Sequence, residues 1–341
     1  MENSTQFVGQ STAFLDSVER ASRAAPLQRP VLVIGERGTG KELIAERLHQ
    51  LSRRWQEPFV TLNCAALPES LIEAELFGHE QGAFTGATRA RAGRFEEADK
   101  GTLFLDELAT LSMGAQERLL RAVEYGEVTR IGSSRPVRVD VRIVAATNED
   151  LPRMAEQNRF RADLLDRLSF EVITLPPLRV REGDIHVLSD YFGRRMATEL
   201  RWDTWPGYTD AALRSLEEYQ WPGNVRELRN VIERAVYRWD NFAEPIAHIN
   251  FDPFDSPWKP SPMMAPVAET AEAAPQRPTA RADYDGVTDL KGAVDAHEKA
   301  ILEAALARHR FNQRQTAKAL GLSYDQLRHA MKKHGLSDIS I

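Results

Sequence analysis

Along the first 250 residues, apolar and polar positions alternate between two regimes. Short apolar or β-branched runs at Val31–Ile34, 59–62, 102–105 and 141–145 are separated by stretches in which apolar residues recur every three or four positions. Runs too short for helices, each followed by a helical pattern, predict an α/β domain with a largely parallel sheet. The first run leads into a predicted helix whose apolar stripe is Ile44, Leu48, Leu51 and Trp55. Further on the pattern changes. Residues 289–307 and 313–333 read as helices with no strand candidate, an all-helical tail. Between 252 and 281 stand Pro253, Pro257, Pro260, Pro262, Pro266, Pro275 and Pro278, and no apolar period survives among them, so this stretch reads as a linker.

Composition narrows the class. With 341 residues, 42% hydrophobic and 28% charged, the chain has room for one large buried core and a smaller module. Its start, Met1-Glu2-Asn3-Ser4-Thr5-Gln6, lacks a basic segment running into an apolar one, and no apolar run approaches a membrane span, so a cytosolic, nucleoid-associated location is expected. The single cysteine, Cys64, excludes an intrachain disulfide and a cysteine-cluster metal site; its setting, Thr-Leu-Asn-Cys-Ala-Ala, suggests a buried strand end. The net charge of −6 argues against a wholly nucleic-acid-binding surface, but residues 308–333 hold seven Lys or Arg against one acid, Asp325. DNA contact is expected there.

The chemistry begins where the strand Val31–Ile34 ends. Gly35-Glu36-Arg37-Gly38-Thr39-Gly40-Lys41 before a helix is a phosphate loop: glycines let backbone N–H groups curl around phosphates at a helix N-terminus, and Lys41 supplies a cation between the β- and γ-phosphates. Position 42 is Glu where the general pattern has a Ser or Thr hydroxyl for Mg²⁺, which leaves the metal to other ligands. The run Thr102-Leu-Phe-Leu delivers Asp106 and Glu107 to a strand end, where ligands sit in doubly wound folds; Asp106 suits Mg²⁺ and Glu107 the activation of water. In the tail, 315–327 has the small residues, the turn at Gly321 and the Leu320, Leu322 and Leu327 wedge of a helix-turn-helix, with Ser323 and Gln326 as a capping box. Tyr324, Gln326, Arg328 and His329 fall on the helix expected in the major groove, and Lys332 and Lys333 face phosphates; a protein-binding helical hairpin is the alternative.

Between the two nucleotide motifs lies Gly82-Ala83-Phe84-Thr85-Gly86-Ala87, a Phe-Thr pair framed by glycines that is poor core material. With it the sequence resembles the AAA+ ATPases that activate RNA polymerase carrying sigma-54, in which this loop touches the sigma factor. The resemblance covers residues 8–240 and implies an AAA+ fold: a parallel α/β core over 1–175, a helical lid over 176–251, then the linker at 252–286 and a Fis-like DNA-binding module at 287–341, with the chain assembled as a homohexamer. It implies ATP and Mg²⁺ as ligands, with sigma-54 polymerase and enhancer DNA as partners. Glu42 is usual in that family. Asn63 matches the residue that hydrogen-bonds the catalytic glutamate and toggles with nucleotide state, otherwise a turn-forming Asn. Thr147 and Asn148 match the first sensor, although Asn148 could be an N-cap. Arg161 and Arg167 match arginine fingers acting on a neighbour's ATP; the alternative is surface pairing with Asp163 and Asp166. In Trp221-Pro-Gly-Asn-Val-Arg226, Arg226 matches the second sensor, with Pro222-Gly223 as lid hinge.

Within that family, Arg181-Glu-Gly-Asp-Ile185 and Leu76-Phe-Gly-His-Glu resemble the phage shock branch, which acts in the membrane-stress response. The ATPase pattern begins by about Phe7, so control by a preceding receiver domain is not expected; the resemblance implies a repressor in trans, phage shock protein A. Trp55, amid Ser52-Arg-Arg-Trp-Gln-Glu57, is either the end of the helix stripe or an exposed docking residue for that repressor. Two other classes fit less well. A replication-initiator ATPase lacks the 82–87 loop, and a nucleotide-controlled repressor would be expected to lack Thr85.

Overall fold

The structure, a computed structural model, describes residues 7–254, 289–309 and 312–336. These fall into two compact units, one within Met1–Lys259 and one within Pro260–Ile341. Beyond Phe254, the expected linker lies outside the described residues.

In chain order the first unit runs α1 (Thr12–Ala24), β1 (Val31–Ile34), α2 (Lys41–Gln50), β2 (Phe59–Asn63), α3 (Glu69–Phe77), α4 (Arg94–Glu97), β3 (Thr102–Asp106) and α5 (Met113–Tyr125). It continues with β4 (Glu127–Thr129), β5 (Pro136–Arg138), β6 (Arg142–Thr147), α6 (Leu151–Glu156), α7 (Ala162–Leu168) and β7 (Glu171–Thr174). Three lid helices close it: α8 (Asp184–Glu199), α9 (Asp210–Glu218) and α10 (Asn224–Tyr237).

Five strands form one parallel sheet in the order β2-β3-β6-β1-β7, while β4 and β5 make a separate antiparallel pair. The central strand β6 is buried along its whole length, as a parallel strand covered on both faces must be. Side chains divide by parity along β3: Leu103 and Leu105 enter a core shared with α5 and α7, and Phe104 enters the opposite core with Ala21, Ile44 and Leu48 of α1 and α2. Arg142, 2% exposed, starts β6 and donates to the carbonyls of Ala24, Ala25 and Leu48, at the carboxyl ends of α1 and α2. Burial pulls its pKa down to about 10. The lid has its own core, in which Leu188, Phe192, Leu228, Val231 and Ile232 surround the fully buried Trp221.

α2 is shorter than its apolar stripe suggests. The helix stops at Gln50 because Ser52 Oγ donates to the His49 carbonyl and accepts from Arg54 N, turning the chain. Leu51 and Trp55 are therefore not core residues; they are 46% and 60% exposed. Cys64 is buried just after β2, and burial pushes its thiol pKa up to about 12.

The second unit consists of α11 (Leu290–Arg308), α12 (Gln313–Ala319) and α13 (Tyr324–Lys333) around Leu302, Leu306, Ala317, Leu327 and Met331. Gly321, at φ +68°, makes the turn between α12 and α13.

Candidate nucleotide site and working loop

The phosphate loop bridges β1 and α2. Gly38 and Gly40 take φ values of +77° and +101°, and a Cβ on Gly38 would lie 2.2 Å from the Gly223 carbonyl of the lid, so glycine is required there by both conformation and space. Lys41 opens α2 at 8% exposure, its Nζ donating to the carbonyls of Gly35 at 2.9 Å and Glu36 at 3.3 Å. Burial lowers its pKa, opposed by the negative charges of Glu107 and Asp106.

Strand order brings the other groups to the same end. Ile34 of β1 is in register with Thr147 of β6, and Asn63 of β2 with Asp106 of β3. Glu107 follows in the left-handed region at φ +52°, a conformation costly for a residue with a Cβ and concentrated at functional sites. Its Oε1 lies 3.9 Å from Arg37 Nε. Asn63 does not bond Glu107 as the resemblance implied: its Nδ2 donates to Asp106 Oδ2 at 3.3 Å. Register sets it beside Asp106, while the turn at Glu107 carries that side chain toward Arg37. Thr147 is fully buried, with Oγ1 accepting from Glu149 N and its carbonyl from Gly35 N. Asn148 is not the N-cap of α6, since Asp150 accepts from Arg153 N in that role.

A cavity of about 630 Å³ joins the phosphate loop, Asp106, Glu107 and Arg226, whereas Asn63, Thr147 and Asn148 do not line it. Its lining combines polar groups, 37–42, Asp106, Glu107, Arg181, Arg195, Arg226 and Arg229, with the apolar Val8, Phe14, Leu188 and Phe192. Phosphates suit the first set and a planar base the second. Arg161 and Arg167 do not line it. Arg161 pairs with Asp163 at 2.7 Å, and Arg167 reaches Glu124 of α5 at 2.7 Å rather than Asp166.

Sequence reading missed how the lid holds this loop. Glu36 accepts two hydrogen bonds from Arg179, at 2.6 and 2.8 Å, and one from Asn224 Nδ2 at 3.0 Å, which hold its pKa down to about 2. Arg181 donates to the Thr39 carbonyl, and its guanidinium lies over the Phe14 ring. Asp184, fully buried, accepts from Gln10 N, Ser11 N and Ser11 Oγ. The only local signal was the arginine pair in 179–181.

The 82–87 loop is a different object. Gly82 N donates to the Ala87 carbonyl and Ala87 N to that of Phe84, closing a small bend. Thr85, Gly82 and Gly86 are exposed and Phe84 is 39% exposed against the edge of His79, whereas Ala87 is buried and Ala83 half-buried. Only the tip is therefore presented, and Ala87 belongs to the loop's footing. Below it Arg130 bridges Glu80 and Glu96.

In the second unit, the capping box of α13 forms, with Ser323 Oγ accepting from Gln326 N and Gln326 Oε1 accepting from Ser323 N. The Gln326 acceptor is thus occupied within the turn, and Tyr324 OH donates to Gln313. Arg328, His329 and Lys332 are exposed. Lys333 is turned from the phosphate-facing position toward Asp295 and Glu298 of α11, at 2.7 and 2.8 Å, because opposite charges on the adjacent helix are within its reach.

Three family profiles match in succession: the Sigma-54 interaction domain over residues 7–174, an AAA+ ATPase lid domain over 179–246, and the Bacterial regulatory protein, Fis family, over 294–334. The Psp operon transcriptional activator of Escherichia coli (strain K12) is 50% identical over 98% of this chain and 99% of its own length. The chain belongs to the sigma-54-dependent transcriptional activators. The Anaerobic nitric oxide reductase transcription regulator NorR of Aeromonas hydrophila is 42% identical over 97% of this chain and 63% of its own. The crystal structure of NtrX from Brucella abortus in complex with ATP superposes with a TM-score of 0.67 at 31% identity, over 97% of this chain and 70% of that one. As a sigma-54 activator the chain is an AAA+ ATPase that drives transcription through sigma-54 and binds DNA through its helix-turn-helix; the replication-initiator and repressor readings are not favoured. Among the described residues no helix is long and apolar enough to cross a membrane.

Proposed function

We propose that this activator serves a phage shock operon, working as a homohexamer in the cytoplasm at the nucleoid under repression in trans by phage shock protein A. The end-to-end correspondence with the Escherichia coli Psp operon activator carries this reading. In it the loop 35–41 cradles the phosphates of ATP, and Glu107 takes the proton of the attacking water. Asp106 holds Mg²⁺, which neutralises phosphate charge when bound; an acceptor-only carboxylate beside the phosphate loop suits a hard cation, and Glu42 supplies no hydroxyl. Thr147 and Asn148 read the γ-phosphate, Asn63 toggles with the nucleotide state, and Arg226 reaches the nucleotide from the lid. Arg161 and Arg167, outside their own subunit's cavity, act on the neighbour's ATP. Phe84 and Thr85 push on sigma-54; Arg328, His329 and Lys332, with Tyr324 and Gln326, contact the enhancer.

The deciding experiment is ATP-dependent open-complex formation by sigma-54 polymerase at a psp promoter, with and without the repressor. Activation suppressed by phage shock protein A is expected; activation indifferent to it would reject the regulatory half. Trp55, exposed beyond the end of α2, is the docking residue in this reading. Trp55→Ala should keep its ATPase and escape inhibition, and undiminished inhibition would remove Trp55 from the interface.

A further inference from the structure

A loop that binds phosphate through its N–H groups must direct the intervening carbonyls elsewhere. Across a planar trans peptide the C=O of one residue and the N–H of the next point in opposite directions. Whatever grips the carbonyls therefore aims the donors. In this chain the grip comes from the lid. Asn224 Nδ2 donates to the Arg37 carbonyl at 3.0 Å, which sets the Gly38 N–H, and Arg181 Nη2 donates to the Thr39 carbonyl at 2.9 Å, which sets the Gly40 N–H. Both glycines line the nucleotide cavity.

Asn224 is built for this task. It is fully buried and sits at φ +52°, a conformation that Asn tolerates better than most residues with a Cβ. Its amide is engaged at both ends: Nδ2 bonds the Arg37 carbonyl and the Glu36 carboxylate, and Oδ1 accepts from Leu178 N at 2.7 Å in the turn that leads into the lid. Arg226 stands two residues further along the same helix.

We propose that Asn224, seconded by Arg181, is a positioning residue through which the lid sets the peptide planes of the phosphate loop. This rests on the cavity being the ATP site, which Lys41→Ala tests separately.

Asn224→Asp removes the donor. It keeps size, tolerance of positive φ and the acceptor for Leu178 N, but it loses the N–H bonds to the Arg37 carbonyl and the Glu36 carboxylate and sets a second carboxylate beside Glu36, a charge that Glu36→Gln relieves. Displacement of a fluorescent ADP analogue from the full-length protein should show ADP affinity at least about tenfold weaker, the effect expected from losing the amide donor. The nucleotide-free melting temperature should fall far less than the shift that saturating ADP produces. Adding Glu36→Gln should recover part of the affinity, since the Gln amide can donate to the carboxylate introduced at position 224. Arg179→Ala, on an exposed side chain, should weaken ADP binding by a smaller factor without unfolding the lid. ADP affinity unchanged in Asn224→Asp would overturn the proposal. So would a loss that tracks melting of the protein and is not relieved by Glu36→Gln.

Discussion

The two glycine loops of the ATPase unit look alike in sequence and are opposites in structure. At Gly38 an added Cβ would meet backbone at 2.2 Å, whereas at Gly82 and Gly86 it would meet nothing within 4 Å. All three have positive φ. The phosphate loop needs glycine because the lid presses on it and its carbonyls are tied outward; the 82–87 loop needs it only for the bend. One site works by being held and the other by being free. That difference suits the proposed division of labour, a small ligand gripped in one place and a large partner pushed in another.

The comparison can be broken at several points, here in descending order of effect on ATP turnover. Arg161→Ala should cost about 10³–10⁵ in rate if it acts on a neighbour's ATP. Specific activity of the wild type should then rise with protein concentration, and mixing Arg161→Ala with Lys41→Ala subunits should restore part of it. Concentration-independent turnover would place both arginines outside the chemistry. Next, Glu107→Gln should lower hydrolysis by about 10²–10⁴ while still binding ATP in a nucleotide titration, whereas Lys41→Ala should not bind. Normal turnover in Glu107→Gln would reassign the base.

The sharpest contrast pairs the glycines. Gly38→Ala should weaken ADP binding by about ten- to a hundredfold through left-handed strain and the lid clash, while Gly82→Ala carries the strain alone and should leave ADP binding within about twofold. Equal losses would mean that the two loops are not independently built. Smallest in ATPase terms is Thr85→Ala, expected within about twofold of wild-type hydrolysis yet unable to support open-complex formation, because the exposed tip touches no group of the nucleotide cavity. Parallel loss of both activities would make the tip structural.

What could be read from the residues alone was local. The phosphate loop, the Asp106-Glu107 strand end, the capping box at Ser323 and the parallel α/β class announce themselves within a few positions, through glycine placement and period. Strand order does not: that β6 inserts between β1 and β3 depends on crossover packing, which has no local signature. Side-chain partners were the least legible. Asn63 is given to Asp106 by register, and Lys333 to α11 by the packing of two helices. Asn224 and Glu36 meet across 188 positions of sequence, a pairing that no periodicity encodes. Trp55 was legible only as two alternatives: its spacing from Leu51 continued the helical period while its polar neighbours argued for exposure, and Ser52, by turning the chain, decided for exposure.

Arg142 bears on the mechanics. If the 82–87 loop pushes on its partner as proposed, the subunit is driven back with equal force, and that recoil must be carried by something stiff. The strand that ends at Thr147, where the phosphate loop leans on its carbonyl, begins at a buried guanidinium bolted to the ends of two helices. The phosphate-loop end of the sheet is thus backed, along one strand, by an end tied to two helices. With a compliant joint in that place, α1 and α2 would slide over the sheet, and the work of hydrolysis would dissipate inside the subunit before it reached Thr85.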